Sequence, residues 1–112
     1  MDFMEYYWDP EGVAQVLLRV RDYKGVTLEA LKPIIEEIRE KSKAMIITAD
    51  LRNVGFLGLD RLRSISFLIC DLLEYTKDDN LLQKIEIIGA GFIFRMVCRS
   101  ISRELRDLLV FI

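Results

Sequence analysis

Four arginines in the last third of the chain are spaced so that they share one side of a predicted helix. They are Arg95, Arg99, Arg103 and Arg106. The helix is expected to begin near Ile93 and to end near Ser102. At a period of about 3.6 residues its apolar positions, Ile93, Phe94, Val97 and Cys98, gather on the opposite arc. A row of guanidinium groups suits an anionic headgroup or a membrane surface, and the alternative is a solvated helix face.

The turn before this helix, Gly89-Ala90-Gly91, follows a short apolar strand predicted at Lys84–Ile88. It resembles the strand-to-helix turn in which dinucleotide-binding domains hold a pyrophosphate against backbone amides. However, the bulky Phe94 occupies the third glycine position, and the final predicted strand, Leu108–Ile112, offers no carboxylate for a ribose. We therefore expect a structural turn and no bound nucleotide or other cofactor.

Residues with catalytic potential are few elsewhere in the chain. Asp50 ends a predicted strand, at the sheet edge where α/β proteins bind ligands, but no second acid accompanies it, which favours a role in a turn. The chain has no histidine, and its two cysteines, Cys70 and Cys98, fall on apolar helix arcs, as buried free thiols do. The sequence therefore predicts neither a metal site nor an enzyme.

The composition limits the classes of partner. The 112 residues are enough for one domain, and a net charge of −2 gives no reason to expect nucleic-acid binding. A hydrophobic content of 52% and a mean hydropathy of +0.21 suggest apolar surface that a partner or a ligand covers. No apolar run reaches the length of about 20 residues that a transmembrane helix needs. The acidic, aromatic N-terminus does not resemble a signal peptide, and we expect a cytoplasmic location.

The pattern divides the chain into an aromatic N-terminal arm, residues 1–12, and an α/β domain, residues 13–112. Strands and helices alternate within this domain. The first four elements are a strand at Val13–Val20, a helix from Leu28 with Pro33 near the start of its main part, a strand at Ala44–Leu51 and a helix at Leu59–Tyr75. The strand, helix and strand of the last third follow them. This β-α-β-α-β-α-β order predicts about four strands in a mainly parallel sheet, covered by three to four helices.

The helix at Leu59–Tyr75 is the first candidate for an interface. Its apolar arc covers about half of the helical wheel, which is more than one sheet face needs. Phe67 also falls in the middle of its polar arc. The aromatic residues of the N-terminal arm either fold over the domain or dock on another molecule. We expect contacts within a homodimer, or with another protein, at Tyr7, Trp8, Leu59, Leu62 and Phe67.

The late strand–helix–strand segment resembles that of CRAL-TRIO domains, the lipid-transfer domains of the phosphatidylinositol-exchange type. The matching positions are Lys84, Ile85, Ile87, Ile88, Ala90, Phe94, Met96-Val97, Arg99, Leu105 and Val110-Phe111-Ile112. An earlier segment, Ile46–Val54, resembles a strand and turn of the same family, whereas Gly89 and Gly91-Phe92 depart from its Asn and Pro-Trp. The resemblance implies a reduced lipid-binding domain, without the family's N-terminal helical region and its pocket-closing segment.

A second resemblance is to STAS domains, the anti-sigma-factor-antagonist type. It rests on Asp50–Phe56, DLRNVGF, and on the length of the chain. It implies a regulatory domain that binds other proteins, although the nearest serines, Ser64 and Ser66, fall inside a predicted helix and favour no phosphorylation switch. Three functions follow from the sequence: a self-associating interaction module, which is favoured, a lipid- or membrane-surface-binding domain, and a STAS-like regulator.

Overall fold

A computed structural model shows a five-stranded sheet and four α-helices in the part of the chain that it describes. The structure describes residues 2–52, 59–78, 80–99 and 103–112, with only the backbone at Leu59, Glu104 and Leu105. The strands are β1 (Met4–Trp8), β2 (Ala14–Arg19), β3 (Met45–Asp50), β4 (Leu82–Ile88) and β5 (Leu109–Phe111). The helices are α1 (Leu28–Lys41), α2 (Leu59–Thr76), α3 (Phe92–Cys98) and α4 (Arg103–Arg106).

The strands lie in the sheet in the order β1-β2-β3-β4-β5. β1 is antiparallel to β2, and the other neighbouring pairs are parallel. Helices make the connections between the parallel strands, as the alternating sequence pattern requires. The prediction of a small α/β domain with a mainly parallel sheet is therefore confirmed.

The predicted count of about four strands was wrong, because the segment predicted as an N-terminal arm forms β1. This segment pairs with β2 along its whole length. Its residues alternate as in a strand. Met4 is buried, and Tyr6 and Trp8 donate hydrogen bonds to the side chains of Glu37 in α1 and Ser42 just after it. Glu5 and Tyr7, which point to the other face of the sheet, are exposed. The N-terminal aromatic residues thus belong to the sheet of the domain and do not form a separate arm.

The helices of the described chain lie on one face of the sheet. Right-handed crossovers between parallel strands that are sequential neighbours all fall on the same side. In agreement, α1 packs beside α2, and α2 packs beside α3. Strand residues on the helix side are buried, apart from the half-buried Tyr6, Trp8 and Phe111, whereas those on the other face are half-buried or exposed. We call this second face the open face; it is formed by Glu5, Tyr7, Gln15, Leu17, Arg19, Ile46, Thr48, Asp50, Lys84, Glu86, Ile88 and Val110.

The helix boundaries depart from the prediction in two places. Pro33 lies inside a continuous α1 on its solvent side, so no separate first turn precedes the main helix. The predicted end of the helix near Ser102 was wrong, because α3 ends at Cys98. A separate short helix, α4, begins at Arg103. Residues 100–102 lie outside the described part of the chain. None of the helices that the structure describes has the length and apolarity needed to cross a bilayer.

Candidate functional site

The candidate site starts at the turn that leads from β4 into α3. Gly89 in this turn has a φ of +75°, in the left-handed region that favours glycine. An added Cβ would lie only 2.9 Å from Cγ of Arg52, the residue that follows β3 by two positions. Glycine is therefore required both by the backbone conformation and by the close approach of a neighbouring loop. The turn ends at Gly91, the N-cap of α3.

The short helix α3 exposes three large apolar side chains. Phe92, Ile93 and Met96 are 71%, 55% and 48% exposed. The inward side of the helix is formed by Phe94 and Cys98, which are buried one turn apart. The prediction that Ile93 shares the buried arc with Phe94 was wrong, because Phe94 and Cys98 fix the rotation of a helix that is only seven residues long.

Two of the four predicted arginines lie beside these apolar side chains. Arg95 and Arg99 are exposed, and the guanidinium of Arg95 lies 4.9 Å from the centre of the Phe111 ring in β5. Arg106 donates from Nη1 to the carbonyl oxygen of Arg99 at 3.3 Å, so α4 closes the end of α3. Arg103 is exposed on α4. The four arginines are thus divided between two short helices. Arg95 and Arg99, at α3, lie next to the exposed apolar side chains of that helix.

These residues form one mixed surface on the outer side of α3. We call it the α3 patch; it comprises Phe92, Ile93, Arg95, Met96 and Arg99. The segment Phe92–Cys98 contains no carboxylate, so the positive charge of the patch is not neutralised within the helix. Its cationic half was predictable from sequence. Its apolar half was missed, although the spacing of Phe94 and Cys98 is a signal that these two residues form the buried side.

The residues predicted as an interface are not brought together. Tyr7 lies on the open face and is 63% exposed. Trp8 points to the opposite side of the sheet, where its indole N–H donates to Oγ of Ser42 and the ammonium of Lys41 lies 5.5 Å from the centre of its ring. Phe67 lies on α2 and is 59% exposed. One flat partner surface therefore cannot contact all three aromatic residues.

Phe67 lines a groove between α2 and the segment that leads into α1. The groove has a volume of about 220 Å³ and is mainly apolar; its lining includes Tyr23, Val26, Leu28, Phe67 and Leu68. Leu62, also predicted at the interface, is only partly buried and packs against the core. Leu59 begins α2, and its side chain lies outside the described residues.

Asp50, the carboxylate at the end of β3, is bound within its own turn. It accepts hydrogen bonds from Nε and Nη2 of Arg52, both at 3.0 Å, and from the backbone N–H of Arg52 at 2.9 Å. These bonds to Arg52 hold the pKa of the Asp50 carboxyl below its usual value. An ionised, paired carboxylate is a weak base, so the geometry suits a turn-closing role.

The thiols and acids of the described chain do not form a reactive cluster. Burial raises the pKa of the Cys98 thiol to about 11, and burial also raises the pKa of Cys70. Both cysteines are free and stay protonated near neutral pH, where a thiol is a poor nucleophile and a poor metal ligand. Among the described residues no group of three or more His, Cys, Asp or Glu side chains is placed to hold a metal ion.

A cavity of about 390 Å³ lies between the β1–β2 turn and the end of α1. Its lining is largely charged and includes Glu11, Arg39, Glu40, Lys41 and Lys43. Charged walls do not suit an acyl chain, since small-molecule pockets for apolar ligands are lined mainly by apolar side chains. This cavity is therefore not the apolar pocket that a lipid-transfer domain would need.

Comparison with known proteins assigns no family to the chain. No model of a protein family matches it, and no curated protein matches it significantly. The resemblances to CRAL-TRIO and STAS domains therefore stay predictions. Part of the segments that carry them, Asn53–Phe56, lies outside the described residues.

Proposed function

We propose that the chain is a non-catalytic docking module that binds an anionic lipid surface through the α3 patch. The observation that carries this proposal is the concentration of exposed apolar side chains on α3. Of the seven large hydrophobic side chains that are exposed in the described chain, three lie on this seven-residue helix. Two exposed arginines, Arg95 and Arg99, lie beside them. Single exposed apolar residues are common on soluble proteins, but a cluster of this kind is typical of an interaction site.

The chemistry of the patch fits the interface of a membrane better than it fits water. Phe92, Ile93 and Met96 can enter the boundary between headgroups and acyl chains, where apolar area is removed from water. Arg95 and Arg99 would then lie at the depth of the phosphate groups. Each basic residue near an anionic leaflet contributes about 1 kcal/mol to the binding free energy, and this contribution decreases as the salt concentration rises. Binding of this kind is weak and reversible, since a short patch has few anchors.

The membrane version of the lipid hypothesis needs no internal pocket. It agrees with the cationic surface expected from the CRAL-TRIO resemblance but places the lipid on the outer side of α3 rather than between the sheet and a helix layer. A non-catalytic role is supported by the arrangement of Asp50, whose carboxylate is paired with Arg52 at the sheet edge where a catalytic acid would be expected.

Binding to vesicles tests this proposal. The chain should sediment with vesicles of phosphatidylcholine and phosphatidylserine at low salt, should bind less at high salt, and should not bind vesicles of phosphatidylcholine alone. Phe92→Asp should weaken binding by about tenfold or more, since loss of roughly 1.4 kcal/mol changes an equilibrium constant tenfold. The matched control is Phe67→Asp, which changes a similarly exposed aromatic residue outside the patch.

A matched pair of arginine variants tests the charge separately. Arg99→Glu should reduce binding and its salt dependence, whereas Arg63→Glu, an exposed arginine on α2, should leave both nearly unchanged. Thermal unfolding of each variant shows whether it is folded. The proposal is wrong if the wild-type chain does not bind anionic vesicles at low salt, or if the two control variants weaken binding as much as the patch variants.

Self-association through α2 is a second candidate function, and the exposure of Phe67 beside the apolar groove favours it. If a side chain from a second copy fills this groove, Phe67, which lines it, lies inside the contact. Phe67→Asp should then convert a dimer into a folded monomer. An unchanged dimer would rule out Phe67 as its centre.

A further inference from the structure

Within the described part of the chain, β5 is paired with another strand on one side of its backbone only. Leu108 accepts a hydrogen bond from the N–H of Ile85 at 2.8 Å, and the N–H of Ile112 donates to Ile87 at 2.9 Å. Because backbone groups alternate along a strand, residues 108, 110 and 112 point towards β4, and Leu109 and Phe111 direct their N–H and C=O groups away from it. Among the described residues, no strand pairs with this outer side.

The side chains of this edge do not discourage pairing with another strand. The segment Leu108–Ile112 carries no charged residue and no proline. Val110 is 40% exposed and Ile112 is 63% exposed. Natural edge strands are usually protected by charges, prolines, bulges or covering segments, so an exposed apolar edge is an expected site of strand addition.

We infer that a second copy of this chain pairs with β5 in antiparallel orientation, about a two-fold axis at Val110. Leu109 of each copy then exchanges both backbone hydrogen bonds with Phe111 of the other, so four outward groups on each strand are satisfied by the same four groups of its partner. Val110 lies opposite Val110 of the second copy, as a non-hydrogen-bonded pair with Cα atoms about 4.5 Å apart. The two sheets join into one continuous sheet of ten strands, twice the five of each chain.

The symmetry of this arrangement favours a second copy over an unrelated strand. The backbone pattern of Leu109–Phe111 is its own complement when the strand is reversed about Val110, and a two-fold contact closes after two chains. The side chains are also matched, since Leu109 faces Phe111 of the other copy on the helix side, and the β-branched residues at position 110 meet on the open face. Pairing of β5 with β1 of another copy would instead leave free edges and grow without closing.

This interface uses residues other than the apolar residues of the α3 patch. Phe92, Ile93 and Met96 lie on α3, whereas the paired residues lie on β5; the guanidinium of Arg95 contacts the ring of Phe111 between the two surfaces. Dimerisation and lipid binding can therefore fail independently. The interface also differs from the contact through Phe67 on α2.

The test begins with native mass spectrometry of the purified chain over a concentration series. We expect a dimer of twice 13.1 kDa. Val110→Lys should abolish this dimer because it places two like charges directly opposite each other at the two-fold axis. The matched control is Tyr7→Lys, an exposed open-face position on the other edge strand, which should leave the dimer intact.

Mixing two charge variants tests the position of the axis. Val110→Glu alone should also be monomeric, but a mixture of Val110→Lys and Val110→Glu should form a heterodimer, because the charges opposite each other are then complementary. Labelling one variant with ¹⁵N separates homodimers from heterodimers by mass. This rescue requires both variants to be folded, so it distinguishes a broken interface from a broken fold.

Three results would overturn the inference. The first is a wild-type chain that stays monomeric at every concentration. The second is a dimer that persists in Val110→Lys or is lost in Tyr7→Lys or Phe67→Asp. The third is a mixture of the two charge variants that contains no heterodimer.

Discussion

The two edges of the sheet are held in place by different kinds of contact. At one edge β1 is five residues long, and polar side chains tie it to its neighbours. Tyr6 donates to Oε2 of Glu37 at 2.9 Å, the indole of Trp8 donates to Ser42, and Glu5 pairs with Arg19 at 2.8 Å. At the other edge β5 is three residues long; Leu109 and Phe111 pack into or against the apolar core, and the guanidinium of Arg95 lies over the ring of Phe111.

This difference separates a protected edge from an available one. The charge of Glu5 lies within β1, and Asp9-Pro10 follows the strand directly, which discourages addition of another strand. β5 has neither a charge nor a proline, and Arg95 of α3 lies over the ring of its Phe111. The α3 side of the molecule thus combines the exposed apolar helix with the unprotected strand, which is why both proposed interactions lie there.

The largest effect is expected at Phe94, the buried ring of α3. Its ring is 1% exposed, so Phe94→Ala should lower the free energy of unfolding by about 3–5 kcal/mol through lost burial and a residual cavity. Trp8→Ala on the β1 side removes a half-buried ring and should cost about half as much. Urea denaturation measures both losses. Equal losses would mean that the two edges depend on packing to the same degree.

A smaller effect is expected at the glycine turns that lead to the two edges. Gly89→Ala should destabilise the fold by about 1–3 kcal/mol, because alanine must adopt a positive φ and its Cβ meets Arg52. Gly12→Ala in the β1–β2 turn is the matched control. Gly12 has a φ of +81°, but an added Cβ there meets no atom within 4 Å.

The difference between these two glycine variants isolates the contact with Arg52. Gly12→Ala should cost only the backbone strain, about 1 kcal/mol. If both variants lose the same free energy of unfolding in urea denaturation, Arg52 moves aside without cost, and the β5 side is less tightly packed than the geometry indicates. Arg52→Ala combined with Gly89→Ala should recover part of the larger loss.

Sequence patterns predicted the central elements of the sheet well and its edges poorly. β3 and α2 have buried faces with clear apolar periods, and the structure places them within one residue of the expected bounds. β1 was missed because its aromatic residues occupy both faces, with Tyr6 and Trp8 inward and Tyr7 outward, so no apolar alternation marks the strand. Their inward partners, Glu37 and Ser42, lie about thirty residues further along the chain and are supplied only by the tertiary fold.

The candidate site was predictable in its charges and not in its exposed apolar residues. Arginines are recognised from residue type alone, but the exposure of Ile93 and Met96 depends on where α3 begins and ends. The helical wheel assumed one helix as far as Ser102, so the direction of its buried side was derived from apolar residues beyond the actual end of α3 as well as from those within it. The actual rotation follows from the buried pair Phe94 and Cys98 in a helix of two turns.

The smallest effect, and the one specific to β1, is expected on acidification. Hydrogen bonding to Arg19 lowers the pKa of Glu5, and hydrogen bonds from Lys41 and Tyr6 lower that of Glu37. Because these carboxyls bind protons less readily in the folded chain, they stabilise it above the ordinary glutamate pKa of 4.5. This contribution is lost as the pH falls through the lower folded values.

Hydrogen exchange can locate this loss along the chain. After correction for the intrinsic effect of pH, the amides of Met4–Trp8 should lose protection on acidification below pH 4.5, before those of Leu109–Phe111. Glu5→Gln should reduce the pH dependence at β1, whereas Glu11→Gln, an exposed carboxylate in the same hairpin, should not. If β5 loses protection first or at the same pH, the ion pairs of β1 do not hold that edge, and the contrast between a polar and an apolar edge is wrong.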